Sequence, residues 1–557
     1  MNRRNFINSL IGASTTLPFW QRPALAHTIH TSGPERKLAV PTPDQTAWQD
    51  LEIGMFVHFA PNTWQDREYD DLSTPLSAIN PAQLDTDQWV ECALGLGAKY
   101  IVFVAKHVGG FCMWQTETTS YGIRNTPWRN GKGDVMADLS QSCRKRGLKL
   151  AIYLSPRDDK FGAGTGGQCK TPEMQAAYSA LYRRQLTELL TRYGEMVEIW
   201  FDGSLVTPVG DILKERAPHA MIFQGPFATI RWVGNEDGFA PYPAWNAVSK
   251  SDAESGVATA MHSDPNESVW LPIEADVSIR RPDWFWSTQN ERNLLSLDQL
   301  LEIYYRSVGH GTQLLINIPA DRRGLLPDAD GARARGFGDE IRRRFGSSVA
   351  ETHGRGESLT LLLPSPTRID HVILQEDCSA GQRVRTYRLE ARAQGNWQTL
   401  GTGTAIGHKR IQPVTPAVVD AVRLIATQSV GQAAIRRLAV FNTGATPPST
   451  WDAPPPIWAD DAVGKWSNYS FDVDLSPKIT AAGQYRLRWV PQGGGEVVVE
   501  NPQLLLDGVT QPNLLHQVPG SPDVLILTIP GISQKAIIAG RVRGAEQGTL
   551  LFHRSRD

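Results

Sequence analysis

The chain has 557 residues, well beyond the about 250 to 300 that a single hydrophobic core usually supports, so two or three domains are expected. Its 56 basic and 58 acidic residues nearly cancel and no Lys/Arg stripe runs along it, which excludes the electrostatic footprint of a nucleic-acid binder or of a protein held on a charged membrane. The 17 tryptophans stand out as flat, amphipathic faces that suit either a core or a sugar platform.

The opening stretch, MNRRNFINSLIGASTTLPFWQRPALA, reads as an export signal rather than as fold. Arg3 and Arg4 precede a modestly apolar run, and Ala24 and Ala26 offer a small-x-small cleavage site before His27. The arginine pair marks the twin-arginine type, so residues 1–26 are expected to be removed and the protein exported, to the periplasm of a Gram-negative bacterium. The apolar run is too short and too interrupted to span a bilayer. Five cysteines, Cys92, Cys112, Cys143, Cys169 and Cys378, show neither CxxC nor Cys/His metal spacing. A chain that folds before it is exported needs no disulfide framework, and none is expected.

Between about residues 48 and 345, short β-branched or aromatic runs alternate with helix-like stretches. IGMFVHFAP (53–61), KYIVFVAKH (99–107), KLAIYLSP (149–156), VEIWFDGS (197–204), AMIFQGP (220–226), SVWLPIEAD (268–276) and TQLLINIP (312–319) read as near-continuous buried strands. Segments such as DVMADLSQSCRKRG and EMQAAYSALYRRQLTELLTRYG lie between them, each closed by a glycine where a helix C-cap favours positive φ. Strands alternating with helices imply βαβ units, and seven or eight units imply a TIM-like (β/α) barrel, assigned to residues 36–345. After 346 the texture changes to period-two alternation with frequent turn signals, read as a β-sandwich over 346–443. A Pro-rich linker follows, and then a smaller all-β module over 455–557.

In a (β/α) barrel the chemistry sits at the C-terminal strand ends. Those ends carry His58, His107, Tyr153 and Asp202, followed by the loop TIRWVGNEDG with Arg231, Trp232 and Glu236. The chain lacks a nucleophile elbow, a Walker phosphate loop, an HExxH zinc motif and a dinucleotide-binding glycine motif. Carboxylates, histidines and aromatics remain. Two carboxylates at the mouth of an aromatic-lined pocket are the apparatus of glycoside hydrolysis, one attacking or stabilising the anomeric carbon and the other protonating the leaving oxygen. Positive charge developing on the sugar is met by carboxylate, so no cofactor is required.

The blocks GMFVHFAPNTW, AKHVGGFCMW, GKGDVMADL, IYLSP, IWFDGS, IRWVGNEDG and ADVSIRRPDWFW occur in the order of the signature blocks of glycoside hydrolase family 29. The chain thereby resembles the retaining α-L-fucosidases, and its later blocks resemble the branch acting on α-1,3/1,4-linked fucose. VILQEDCSAGQRVRTYRLEA and AIGHKRI resemble the discoidin-like sandwich attached to such barrels, a module type that can hold a structural calcium, although no decisive ligand run is visible here. The resemblance implies Asp202 as nucleophile and Glu236 as acid/base, with Asp237 or Glu254 as substitutes. It also implies His58, Glu68, His107, Tyr153, Trp200, Arg231, Trp232 and Trp286 as sugar-contacting residues. Trp64, Trp114 and Trp284 are further stacking candidates, and His408 and Arg410 mark either a carbohydrate contact or a docking face. The implied partner is a fucosylated oligosaccharide or glycoprotein glycan.

One departure from the family pattern bears on specificity. Relatives commonly read KHHDGF where this chain reads KHVGGF, so Val108 and Gly109 replace a histidine and an acid. The glycine is expected to open room for a substituent that fucose lacks. This motivates a second reading, an α-L-galactosidase of the same fold; a third is a non-catalytic fucose-binding protein.

Overall fold

The computed structural model describes residues 37–449, 451, 461–476, 479, 483–491, 497–518, 521–529 and 535–554. The expected signal segment, residue 36 and half of the Pro-rich linker (443–458) lie outside the described residues.

Eight short strands form one parallel sheet: β1 (Ile53–Val57), β2 (Tyr100–Lys106), β3 (Lys149–Leu154), β4 (Met196–Trp200), β5 (Met221–Phe223), β6 (Arg231–Trp232), β7 (Ile273–Ser278) and β8 (Gln313–Asn317). Their order is β5-β4-β3-β2-β1-β8-β7-β6. A bridge between Phe223 and Ile230 joins the two ends, so the sheet is a nearly closed barrel. The runs are apolar throughout because both faces are buried. Phe56, Tyr100, Val102, Ala151, Trp200 and Leu315 point inward, while Met55, Val57, Ile101, Phe103, Ile152 and Leu314 meet the surrounding helices. Capping sets the helix limits: Asp134 accepts from Ala137 N before Val135–Arg146, and Gly147 ends that helix at φ 68°.

The structure corrects one strand. SVWLPIEAD does not run continuously: Val269–Trp270 pairs antiparallel with Ala247–Val248, and the barrel strand begins only at Ile273. Pro272 separates the two, having no N–H to offer a ladder. The strand Arg231–Trp232 is added as the eighth beside the seven runs, entering the barrel directly after β5 with no helix between.

A six-stranded antiparallel sheet follows, built from β9 (Ala350–Arg355), β10 (Ser358–Glu376), β11 (Val384–Ala393), β12 (Asn396–Gly403), β13 (Arg410–Ser429) and β14 (Ala434–Phe441). Register shifts after Leu362 and Ile369 break the long β10–β13 ladder, where bulges allow strands to bend around their core. Between Asp461 and Arg554, a five-stranded and a four-stranded sheet enclose a separate core around Trp466, Trp489, Leu504, Leu527, Ile538 and Phe552.

His408 and Arg410 prove to be docking residues. His408 is 6 % exposed and lies against Arg436 and Asp50, while the Arg410 guanidinium sits 3.7 Å from the Tyr242 ring centre, on the barrel. Between them Lys409 Nζ reaches Glu52 at 2.7 Å. All five cysteines are unpaired. Among the described residues, no helix is long and apolar enough to cross a membrane.

Candidate active site

Each barrel strand hands one or more polar side chains to the same mouth. His58 follows β1; its Nδ1 lies 2.8 Å from Asn317 Oδ1 at the end of β8, and Asn317 Nδ2 donates to the Ser278 hydroxyl and the Trp284 carbonyl. An amide oxygen only accepts, so His58 carries its proton on Nδ1 and presents Nε2 as an acceptor. Burial holds its pKa down to about 3, which keeps the ring neutral. His107, after β2, stacks on Tyr153 with ring centres 5.8 Å apart and packs edge-on to Phe285. Its Nδ1 is buried with no hydrogen-bond partner.

Tyr153, in β3, donates its hydroxyl to Asp202 Oδ2 at 3.0 Å. Asp202 follows β4, where Gly203 turns the chain at φ 76°. Burial raises its pKa, against the Tyr153 hydroxyl, the Gly203 N–H and the charge of Arg157. Protein surrounds the carboxylate from below, yet the residue stays open to solvent at the rim. Hydration therefore discounts the upward push on Asp202, as it does on Glu236, whose side chain is 39 % exposed. Beneath it Trp200 forms the floor, its indole stacked on Phe223 with centroids 3.5 Å apart and its N–H donated to Glu198.

Glu236 follows β6. Its pKa is raised, first by burial and then by the charges of Asp202 and Asp237, against Arg281, whose guanidinium is 3.3 Å away, and the Trp284 side chain. Trp232 Nε1 donates to Asp276 Oδ1 at 2.6 Å. Glu68 arrives on the loop after β1 and accepts from Trp284 N at 2.9 Å; burial pushes its pKa up to about 8, helped by Glu236 and Asp283. Trp284 thus contacts both acids, and its ring lies 5.1 Å from His58. The site gathers Asp202, Glu236, Glu68 and Asp276, with Arg281 paired to Glu236 and the charge of Arg157 acting on Asp202.

A titration prediction follows for Glu68. Folded Glu68 holds its proton up to about 8, whereas a carboxyl of ordinary pKa 4.5 releases it in the unfolded chain. Between those values the folded state binds more protons, so this group's contribution to stability declines as pH rises. Glu68→Gln cannot ionise, and its melting temperature is expected to gain on wild type by roughly a few degrees between pH 5 and pH 8. A gap constant across that range would mean that Glu68 titrates normally.

Several expectations are corrected. Arg231 is no pocket residue: it is 1 % exposed, and its guanidinium donates to the carbonyls of Leu271, Trp245 and Asn246 and to the Ser263 hydroxyl. Alternation along β6 turns Trp232 inward and Arg231 out. Arg231→Ala is accordingly expected to lower thermal stability, with KM for a glycoside unchanged within about twofold in the folded fraction. A large KM rise without loss of stability would return Arg231 to the pocket. Trp114 is fully buried and bonded to Glu188, and Trp64 packs on Phe59 in the outer core. Trp286 is half-buried, with Arg322 5.8 Å from its ring beside the Asp66–Thr288 contact. Glu254 sits on an exposed helix paired with Lys250, and Asp237 is 4 % exposed behind Arg281, whereas Glu236 lies close enough to Asp202 to feel its charge.

Gly109 opens no room. A Cβ there would stand 2.3 Å from Asp70 Oδ2, because the Asp70 carboxylate fills that volume. Sequence reasoning also passed over Asp276, Asn317 and Arg281. Asp276 carried the same signal as Asp202, an acid at the end of a buried strand; Asn317 and Arg281 carried none. A separate cavity of about 410 Å³, lined by Trp48, Leu51, Lys149, Tyr193, Val197 and His219, contains none of these groups. Lys149 opens β3, so that cavity lies at the N-terminal end of the barrel, away from the chemistry.

A (β/α) barrel whose strand ends bring carboxylates and neutral histidines into one aromatic mouth is the framework of a glycoside hydrolase. The model of the α-L-fucosidase family matches residues 62–343, and the chain belongs to that family, glycoside hydrolase family 29. It is 30 % identical over 423 residues to α-L-fucosidase 1 of Arabidopsis thaliana, spanning 67 % of this chain and 81 % of the plant protein. Among solved structures, a family 29 member from an unknown rumen bacterium matches with a TM-score of 0.68 at 27 % identity, covering 92 % of this chain and 100 % of that one. A family 29 fucosidase of Ruminococcus gnavus in complex with fucose matches at 0.65 and 25 % identity, over 74 % of this chain and 96 % of that one.

Proposed function

We propose that the protein is an exported, retaining exo-α-L-fucosidase that releases α-1,3/1,4-linked L-fucose from oligosaccharides or glycoprotein glycans. The observation that carries the reading is the pairing of unlike carboxyl groups in one mouth: Asp202, hydrogen-bonded by Tyr153 and open to solvent, and Glu236, kept toward its neutral form partly by the charge of Asp202. Burial raises both carboxyls, while the Tyr153 and Gly203 hydrogen bonds favour the charged form of Asp202 and the charge of Asp202 favours the neutral form of Glu236, which divides them into nucleophile and proton donor. An Asp202 oxygen attacks the anomeric carbon as its bond to the leaving oxygen breaks, and the Glu236 proton goes to that oxygen. Glu236, now a carboxylate, takes a proton from water. The hydroxide adds to the anomeric carbon, and the ester bond to Asp202 breaks. His58 Nε2 is placed to receive a sugar hydroxyl, with the His107 ring beside it.

Within the same proposal, the sheet Ala350–Phe441 is the discoidin-like module and residues 1–26 direct twin-arginine export to the periplasm. The α-L-galactosidase reading loses its main support, since Asp70 occupies the volume that Gly109 leaves. A panel of defined fucosylated oligosaccharides, run beside aryl α-L-fucoside and α-L-galactoside, tests the assignment. Release of fucose from α-1,3/1,4 linkages ahead of α-1,2 is the expected result. Faster turnover of the galactoside would overturn the substrate, and cleavage of α-1,2 links first would overturn the branch.

A further inference from the structure

We infer that Asp70 is a positioning residue: it locks the loop that carries Glu68 onto the loop that carries His107 by filling the volume a side chain at position 109 would need. The inference rests on the active-site reading above.

Asp70 is 6 % exposed. Its Oδ1 accepts from Gln65 Nε2 and Leu72 N, both at 2.8 Å, and its Oδ2 accepts from the Tyr121 hydroxyl at 2.7 Å. Three donors from two chain segments therefore converge on one carboxylate. Across from it lies the bare backbone of Gly109, where a Cβ would meet Asp70 Oδ2 at 2.3 Å, Cβ at 2.7 Å and Cγ at 2.8 Å. Real Cβ atoms do not approach so closely, so Asp70 as placed is compatible only with glycine at 109.

Gly109 itself is held in place. The Val108 carbonyl accepts from Asp159 N at 2.8 Å, and His107 lies two residues back. On the other side, the segment from Asp66 to Leu72 has no regular structure and both of those residues are left-handed, at φ 53° and 62°. Glu68 and Tyr69 sit in the middle of it. A segment without its own ladder keeps its shape through side-chain contacts: Asn62 Nδ2 donates to the Glu68 carbonyl at 2.7 Å, and Asp70 supplies the buried bond to Tyr121 that ties the segment to the loop after β2. The register of Glu68 against Trp284, and through it the surroundings of Glu236, thus depends on a carboxylate that touches neither acid.

The test is a swap. Asp70→Gly removes the carboxylate, Gly109→Asp forces a second one into the same space, and the double variant projects a single carboxylate into that space from the opposite loop. Each single variant is expected to melt roughly 5 °C or more below wild type. Each is also expected to lose about 10- to 100-fold in kcat/KM on a fucosylated disaccharide but under about fivefold on an activated aryl fucoside, whose departure needs little proton help. The double variant is expected to recover both quantities to within about threefold and a few degrees of wild type, the non-additivity of one shared volume. A double variant that stays soluble where either single does not is the same result. Losses that multiply in the double variant would overturn the inference, and a recovered melting temperature with unrecovered disaccharide kinetics would reduce Asp70 to a structural residue. Wild-type enzyme inactive on every α-L-fucoside would sink the fucosidase reading instead, while the melting-temperature cycle would still decide whether the two positions share one volume.

Discussion

Asp202→Gly is expected to lose at least about 10⁴-fold in kcat/KM on an aryl α-L-fucoside, a loss of the size seen when a nucleophile is removed from other covalent enzymes. Sodium azide is expected to restore turnover and yield β-fucosyl azide. The Asp202 carboxylate is held by the Tyr153 hydroxyl at 3.0 Å and opens to solvent at the rim, so its removal leaves a space that a small anion can enter from outside. An anion there attacks from the side opposite the departing group, so one displacement inverts the anomeric centre, where the wild-type enzyme's two displacements retain it. Tyr153 stays behind to orient the azide. Unchanged activity in Asp202→Gly, or recovery of the α-azide, would remove Asp202 from the attacking role.

The second large effect divides by leaving group. Glu236→Ala is expected to slow hydrolysis of a fucosylated disaccharide by about 10²- to 10⁴-fold while formation of the fucosyl-enzyme from an activated aryl fucoside falls by under tenfold, because general acid help matters only where the departing oxygen needs a proton. The pH dependence has a definite sign. The donor must be protonated, and Glu236 has its pKa raised by burial and by Asp202, so kcat/KM on the disaccharide holds below that raised pKa and falls as pH rises through it. The acid limb belongs to Asp202, which must be ionised to attack. In Glu236→Ala the alkaline limb is expected to disappear. An alkaline limb that persists with unchanged position, near the pKa of about 8 of Glu68, would transfer the donor role to Glu68.

Arg281 makes this balance adjustable. It touches Glu236 at 3.3 Å and Asp237 at 3.2 Å, so it lowers the pKa that burial raises. The same carboxyl must donate a proton in one step and take one in the next, and a pKa pulled both ways serves both steps better than one fixed far from the working pH.

The sequence made some of this legible and hid the rest. Asp202 could be found because VEIWF is an apolar run with one local explanation, a buried strand, and strand ends in a barrel point at a common mouth. His58, His107 and Tyr153 followed by the same rule. Arg231 lies outside the mouth although its neighbour Trp232 turns inward to Asp276. In a two-residue strand the alternation of faces decides which side chain enters, and two residues carry no readable period. Trp114 and Trp64 failed for a related reason: an indole in a signature block looks the same whether it faces sugar or core, and the partners that settle the matter, Glu188 and Phe59, belong to other parts of the chain or to another face.

The substitution of Gly109 shows the limit most clearly. In one dimension it reads as a lost acid and a vacant space. In three dimensions Asp70, 39 positions earlier, fills that space with a carboxylate. By itself the sequence determined the strand runs, the succession of a barrel and two all-β bodies, and the acids that end the strands, because these depend on backbone periodicity between near neighbours. Only the tertiary structure decided which acids face each other, which of them hold a proton, and which glycine is empty and which is filled. Desolvation, Coulomb interaction and excluded volume act between groups brought close by folding, whatever their separation along the chain.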